Sequence, residues 1–172
     1  MTWQFRILVV ANVTADSPEL IAALSERAGH GRFSFTLLVP APAGGRAGRE
    51  AAELRLAAAL AAMRAAGLEV EGRVGDQDAI AAVHDAWDPT QYDEVIVSTL
   101  PTGTSRWLQV DLPHRVERLT SVRVTHVVSH PEPPARRVEH VEPPERQGVL
   151  APLTAITGKR PVRRGPAPPP AR

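Results

Sequence analysis

Apolar runs of strand length recur along the first 130 residues of the chain. Two of them contain continuous aliphatic segments, Ile7-Leu8-Val9-Val10 and Val95-Ile96-Val97, which are typical of central parallel strands covered on both faces. Two others alternate apolar residues with other residues, which indicates strands nearer an edge with one better-buried side. The five predicted strands are residues 5–11, 33–39, 68–74, 94–99 and 122–129.

Helix-like stretches separate the predicted strands. The first has a predicted N-cap at Ser17, carries Pro18 at its first helical position, and is predicted to end near Gly29. The apolar stripe of the third includes His84, and Pro113 falls in the first turn of the fourth. The alternation of strands and helices predicts a doubly wound, Rossmann-like α/β domain with a five-stranded parallel sheet. The four predicted helices are residues 18–29, 50–66, 78–87 and a segment that begins at about residue 111.

The composition changes after His130. Of the 17 prolines in the chain, 11 fall in the last 42 residues, where they are mixed with Arg, Glu, Ala and Gly. Such a segment has too few apolar residues to bury a core. We therefore predict one α/β domain over residues 1–130 and a disordered Pro- and Arg-rich tail over 131–172, with an acid-free basic end from Lys159 onward.

Composition excludes several functional classes. The net charge is +1, so the overall charge does not select nucleic acid or membrane as a partner. There is no cysteine, which excludes a disulfide framework, a cysteine nucleophile and thiolate metal sites, and fits a reducing compartment. The first apolar run is far shorter than the roughly 20 residues that span a bilayer. We therefore expect a cytoplasmic protein without a signal peptide or a membrane anchor.

Three short motifs stand at predicted strands: Arg6-Ile-Leu-Val-Val-Ala-Asn12, Gly72-Arg-Val-Gly-Asp-Gln-Asp78 and Asp93-Glu-Val-Ile-Val-Ser-Thr99. Together with the order of the elements, they resemble the universal stress protein (UspA-like) family over roughly residues 5–129. The resemblance is to a divergent branch, because Ser98 to Gln109 replaces the family's glycine-rich loop. It implies the strand order 3-2-1-4-5.

The resemblance also implies a homodimer that forms through the last strand, Val122 to Ser129. An edge strand has a physical reason to pair, because its outer main-chain groups otherwise have no partner. The apolar Val124 and Val128 lie in this predicted strand.

Ligands of doubly wound sheets bind at the carboxyl ends of the strands, where the strand order reverses. Here that point lies between the first and fourth strands, and we expect the loops that follow the strands to converge on one crevice. The candidate ligand-binding residues are Asn12, Val13, Thr14, Val39, Pro40, Gly75, Asp76, Thr99, Thr102, Gly103, Thr104, Ser105 and Arg106.

The family's ATP-binding members hold the phosphates on a glycine-rich loop and the helix N-terminus after it, so the implied cofactor is ATP or another adenine nucleotide. This sequence departs from that pattern, because Val110 and Asp111 stand where the family has Gly and Ser. A carboxylate at that position is predicted to cap the fourth helix and to repel a phosphate. ATP held in the usual way is therefore not expected, and no cofactor is certain.

An open alternative is that the hydroxyls and the one cation of the segment from Thr102 to Arg106 bind a different ligand, such as a nucleoside or a small anion. The same Thr-Gly-Thr-Ser sequence is also typical of a plain turn and helix cap. Trp107 either stacks on a base or belongs to the core or a dimer contact. Gly75 either admits a ligand or serves a turn.

Other motifs are absent. The glycine cluster from Gly44 to Gly48 matches no phosphate-binding motif and is predicted to be a flexible connection. The histidines are scattered, which predicts no metal site. There is no G-x-S-x-G elbow, and Asn12 stands where a phosphoacceptor domain would have an aspartate, so no catalytic residue is predicted.

Three hypotheses for function remain. The first is a non-enzymatic cytoplasmic stress-response or regulatory protein with a degenerate or weak nucleotide-binding crevice. The second is an interaction protein whose basic, proline-rich tail tethers the domain to nucleic acid or a membrane. The third is a genuine ATP-binding sensor, or an ATP-hydrolysing or nucleotide-transferring enzyme, either of which would need a phosphate cradle that the sequence does not contain.

Overall fold

The computed structural model describes residues 4–101, 105, 107 and 110–130. The predicted tail, 131–172, lies outside these residues, as do Thr102, Gly103, Thr104 and Arg106. In the described part of the chain, five strands alternate with four helices. The elements are β1 (Phe5–Val10), α1 (Pro18–Gly29), β2 (Phe33–Pro40), α2 (Gly45–Ala65), β3 (Val70–Gly75), α3 (Ala79–Ala86), β4 (Glu94–Thr99), α4 (Leu112–Thr120) and β5 (Val124–Val128).

The five strands form one parallel sheet in the order β3-β2-β1-β4-β5. Strand β1 lies at the centre, where Ile7 is in register with Phe35 of β2 and with Glu94 of β4. The predicted fold class and strand order are therefore confirmed. The chain leaves β1 towards β2 and reaches β4 only later, so the neighbours β1 and β4 mark the reversal of strand order.

Both faces of the sheet are covered by helices. On β1, Ile7 and Val9 enter the core beneath α1 and α2, whereas Leu8 and Val10 enter the core beneath α3 and α4. All four side chains are at most 1% exposed. Burial of each such side chain stabilises the fold by about 1.5–3 kcal/mol. The continuous aliphatic run therefore reflects a strand that is buried on both sides.

Helix α1 begins and ends where its sequence signals predict. The Ser17 hydroxyl accepts a hydrogen bond from the backbone N–H of Leu20 at 3.2 Å, which satisfies one of the free amides of the first turn. Pro18 occupies the first helical position, and the helix ends at Gly29. This cap fixes the direction in which the chain leaves the end of β1.

Helix α2 begins five residues before its predicted start, so the prediction of a flexible connection is wrong. Gly44 and Gly45 have φ angles of 127° and 58°, and this left-handed turn leads directly into the helix. Gly48 is buried, and a Cβ atom there would overlap the carbonyl oxygen of Pro42. The glycines thus allow α2 to start close against the loop that follows β2.

Helix α3 packs on the sheet through small residues. Its buried residues are Ala79, Ala82, Val83 and Ala86, whereas His84 is exposed, so the predicted stripe is wrong at that position. A Cβ atom at Gly75 would lie 2.6 Å from the Cβ of Ala82. Gly75 therefore permits close contact between β3 and α3 and has no positive φ angle that a turn would require.

The last strand is tied to the first helix by a charged cluster. Arg27 of α1 donates two hydrogen bonds to the carboxylate of Glu94, at 2.6 and 3.1 Å, and Thr125 of β5 donates a third, at 2.6 Å. Burial raises the pKa of Glu94, but these hydrogen bonds and the charge of Arg27 outweigh burial and lower the pKa below its usual value. Glu94 is therefore ionised at neutral pH.

Within the described residues, no helix combines the length and the apolar character that crossing a membrane requires.

Candidate functional site

A crevice opens at the carboxyl ends of β1 and β4. The chain leaves these neighbouring strands towards opposite faces of the sheet, because α1 packs on one face and α4 on the other. The gap between the two connections is a cavity of about 200 Å³. Its lining residues are Asn12, Val13, Thr14, Ser98, Thr99, Leu100, Ser105 and Trp107, none of which is charged.

The floor of the crevice is a chain of buried hydroxyl groups. Ser98 donates a hydrogen bond to the Thr14 hydroxyl at 2.8 Å, and Thr14 donates to the backbone carbonyl of Ser98 at 3.2 Å. The hydroxyl of Ser129 lies 3.0 Å from that of Ser98 and must act as the donor, because Ser98 has used its one proton. All three residues are at most 1% exposed. The network fixes the ends of β1, β4 and β5 relative to one another.

Thr99 lines the crevice on the side of β5, and its hydroxyl contacts His126, which lines a neighbouring cavity. The Thr99 hydroxyl donates to the Leu100 carbonyl at 3.0 Å and lies 2.7 Å from Nε2 of His126. The imidazole therefore donates its Nε2 proton to Thr99. Partial desolvation lowers the pKa of His126, which favours its neutral form.

Arg55 reaches the mouth of the crevice from α2. Its Nη1 atom donates a hydrogen bond to Oδ1 of Asn12 at 2.7 Å. A groove of about 520 Å³ adjoins the crevice, and the two share Val13. The groove is lined by Val13, Asp16, Ser17, Pro18, Ala51, Leu54 and Arg55.

The structure brings some of the predicted site residues together and separates others. Of the described candidates, it places Asn12, Val13, Thr14, Thr99 and Ser105 on the one crevice. Val39 and Pro40 are buried at the end of β2 and do not line it. Gly75 and Asp76 line a separate cavity of about 250 Å³.

Sequence reasoning missed three polar groups of the site, namely Arg55, Ser98 and Ser129. Ser98 is the last but one residue of β4 and belongs to the sequence motif that ends at Thr99, so the sequence alone could have placed it at the strand end. One indirect feature of the sequence, the position of Arg55 along a helix that follows a strand, could have placed Arg55 near the site. A helix that follows a parallel strand runs back along the sheet, so its amino-terminal half lies near the carboxyl ends of the strands.

Asp111 does not cap α4 with its side chain, so that prediction is wrong. It is the N-cap residue with a left-handed φ of 54°, but its carboxylate makes no hydrogen bond to the amides of the first turn. Instead, its Oδ1 lies 2.5 Å from Nδ1 of His114.

Trp107 belongs to the core and also borders the crevice, so stacking on a base stays a prediction. Its side chain packs against the core between the sheet and α3 and α4, and it also lines the crevice. Among the described residues, no group of three or more His, Asp or Glu side chains is placed to hold a metal ion.

A larger cavity, about 670 Å³, lies beside the edge strand β3. It is lined by Arg6, Ser34 and Glu71, among others, which stand near the amino ends of their strands. We give the smaller crevice more weight, because doubly wound folds bind ligands at the carboxyl ends, where the order reverses.

Comparisons with known proteins support the fold. No protein-family model matches the chain, and no curated protein matches it significantly. A solved universal stress protein from Archaeoglobus fulgidus is 17% identical, with a TM-score of 0.53 over 72% of this chain and 93% of its own. The universal stress protein from Archaeoglobus fulgidus in complex with dAMP is 14% identical, with a TM-score of 0.54 over 74% and 99%. A universal stress protein in complex with cAMP is 17% identical, with a TM-score of 0.56 over 76% and 100%. The chain therefore has the fold of the universal stress proteins.

Proposed function

We propose that this domain binds a nucleoside or a small adenine nucleotide in the crevice between β1 and β4 and acts as a non-enzymatic regulatory protein. The proposal rests on one observation above all: an uncharged, hydroxyl-lined crevice stands at the reversal of strand order. It is supported by the adenine nucleotides bound to two structurally similar proteins, cAMP in one and dAMP in the other.

The chemistry of the walls suits a nucleoside. The amide of Asn12 offers N–H donors and the hydroxyl oxygens of the strand ends offer acceptors for a ribose, and Trp107 offers an aromatic wall for a base. The cavity of about 200 Å³ is smaller than the ~300–1,000 Å³ of typical ligand pockets. It therefore favours a compact ligand whose phosphate, if present, projects from the mouth.

The absence of catalysis is part of the proposal. Thr99 and His126 are the nearest approach to a nucleophile and a base, but the hydroxyl already donates its proton to a backbone carbonyl. Among the described residues, no side chain orients the His126 ring from Nδ1, as the third member of a catalytic triad would. The buried hydroxyls of Ser98 and Thr14 are bonded to each other. This arrangement suits binding better than acyl or phosphoryl transfer.

Calorimetric titration of the full chain with adenosine, AMP and ATP tests the proposal. Val13 is 48% exposed and borders the crevice, so Val13→Trp fills the mouth without entering the core. We expect this variant to bind adenosine and AMP at least roughly tenfold more weakly. Ala22→Trp, on the exposed side of α1, is the matched control and should bind as the natural chain does. No heat from any ligand, or equal binding by both variants, would refute the proposal.

A dimer through β5 is a second proposal, and the fold supports it. Strand β5 is at an edge of the sheet and pairs within the chain only with β4 in the described part. Its Val128 is 43% exposed. Pairing of two β5 strands would satisfy the outer backbone groups and cover this side chain. The hypothesis of a tail that tethers the domain concerns residues 131–172 and stays a prediction.

A further inference from the structure

Arg55, like Arg64 but unlike the other two arginines of α2, has no carboxylate partner among the described residues. Arg46 forms an ion pair with Glu50 at 2.8 Å, and Arg49 forms one with Glu53 at 3.4 Å. Arg55 makes no ion pair with any described residue, and its hydrogen bond to Oδ1 of Asn12 is to a neutral amide. It is also partly buried. A partly buried guanidinium that lacks a counter-ion is poised to accept an anion.

The position of this charge matches the proposed ligand. Asn12 lines the crevice, and its bond to Arg55 holds the guanidinium at the mouth, where the adjoining groove begins. Among the described residues that line the crevice or the groove, Arg55 is the only cation. Among the described residues, Arg55 is therefore the one cationic partner for a phosphate that projects from the crevice into the groove.

The number of charges limits the number of phosphates. One guanidinium presents a planar fork of donors that fits the oxygens of a single phosphate group. Asp16 also lines the groove, so a second and third phosphate that extended along it would approach a carboxylate. The site thus favours a nucleoside monophosphate over a triphosphate.

We propose that Arg55 exchanges the amide oxygen of Asn12 for the phosphate of a nucleoside monophosphate and that it sets the preference for one phosphate. This inference rests on the proposed function, since it assigns the residue that binds the charged end of the same ligand. It explains how the fold can bind a nucleotide although Val110 and Asp111 replace a glycine-rich cradle.

The test compares AMP, adenosine and ATP by calorimetry without magnesium. Arg55→Met retains the apolar length of the side chain and removes its charge, and Arg55→Lys keeps the charge but loses the fork. Arg46→Met is the matched control on the same helix, because its guanidinium is exposed and already paired. Circular dichroism and thermal unfolding establish that each variant is folded.

We expect the natural chain to bind AMP about tenfold more tightly than adenosine, and ATP no more tightly than AMP. In Arg55→Met, the preference for AMP over adenosine should disappear, so that the two ligands bind with equal affinity, and the salt dependence of AMP binding should disappear as well. Arg55→Lys should be intermediate, and Arg46→Met should match the natural chain.

The outcomes separate this inference from the proposed function. If AMP and adenosine bind but Arg55→Met weakens both equally or neither, or if ATP binds more tightly than AMP, the role of Arg55 is refuted and the crevice stands. If the natural chain binds neither adenosine nor AMP, the proposed function is refuted and the role of Arg55 is refuted with it.

Discussion

Replacement of Glu94 by glutamine removes the charge at the centre of the contact between α1, β4 and β5. The side chains of Arg27 and Glu94 are 32% and 17% exposed, and both oxygens of the carboxylate accept a hydrogen bond from Arg27. Exposed pairs contribute roughly 0.2–1 kcal/mol, whereas loss of one member of a fully buried pair costs about 3–5 kcal/mol. The pair lies between these limits, so we expect Glu94→Gln to lower the free energy of unfolding by about 2 kcal/mol.

The assay is urea-induced unfolding at neutral pH, followed by circular dichroism. Glu50→Gln is the matched control, because its partner Arg46 is 93% exposed and the pair lies along one helix. Loss of that pair should cost at most ~0.5 kcal/mol. A double-mutant cycle with Arg27→Met then isolates the interaction from the effect of each substitution alone.

The pH dependence provides the sharper test. The hydrogen bonds of Arg27 and Thr125 lower the pKa of Glu94 in the folded state despite its partial burial. Its contribution to stability is therefore fully present above the unfolded pKa, near the ordinary value of 4.5, and is lost as the pH falls through the folded pKa. The difference in free energy of unfolding between the natural chain and Glu94→Gln should narrow below about pH 4.5. The reasoning would be refuted if Glu94→Gln lowered the free energy of unfolding no more than Glu50→Gln does. It would also be refuted if the difference from the natural chain persisted unchanged in acid.

Two further predictions follow from packing at the edges of the sheet. Gly75→Ala should destabilise the domain by about 1–3 kcal/mol, measured by thermal unfolding, because the new Cβ would lie 2.6 Å from Ala82 and 2.9 Å from Leu38. The control is Gly29→Ala, where a Cβ meets nothing within 4 Å. Equal stability of the two variants would contradict the argument. Val128→Lys should shift a β5-paired dimer towards the monomer in light scattering at micromolar concentration, because it places a charge on the shared edge; a natural chain that is already monomeric would refute the dimer.

The sequence determined the elements of this fold because their signals are local. The aliphatic runs of β1 and β4 predict strands covered on both faces, and Ser17 followed by Pro18 predicts the start of α1. Each signal acts over a few residues, so it can be read without knowledge of the fold. The prediction of the start of α2 failed for the converse reason, since the left-handed turn at Gly44 and Gly45 leads into a helix whose Gly48 lies close against Pro42. The strand order came from the family resemblance and not from the residues.

The site itself was determined partly by topology and partly by packing across the sheet. The rule that ligands bind where strand order reverses predicted a crevice near Asn12, Val13 and Thr99, and these three residues line one crevice in the structure. The rule could not show which loops stay apart, nor that Thr14 bonds to Ser98, 84 positions away, or that Arg55 reaches Asn12 from 43 positions away. Such contacts depend on how the crossover connections between parallel strands place helices against strand ends. No local pattern of residues shows which distant side chains this placement brings together. The sequence thus determined the strands and helices of the domain, and the tertiary structure alone decided which side chains meet at its crevice.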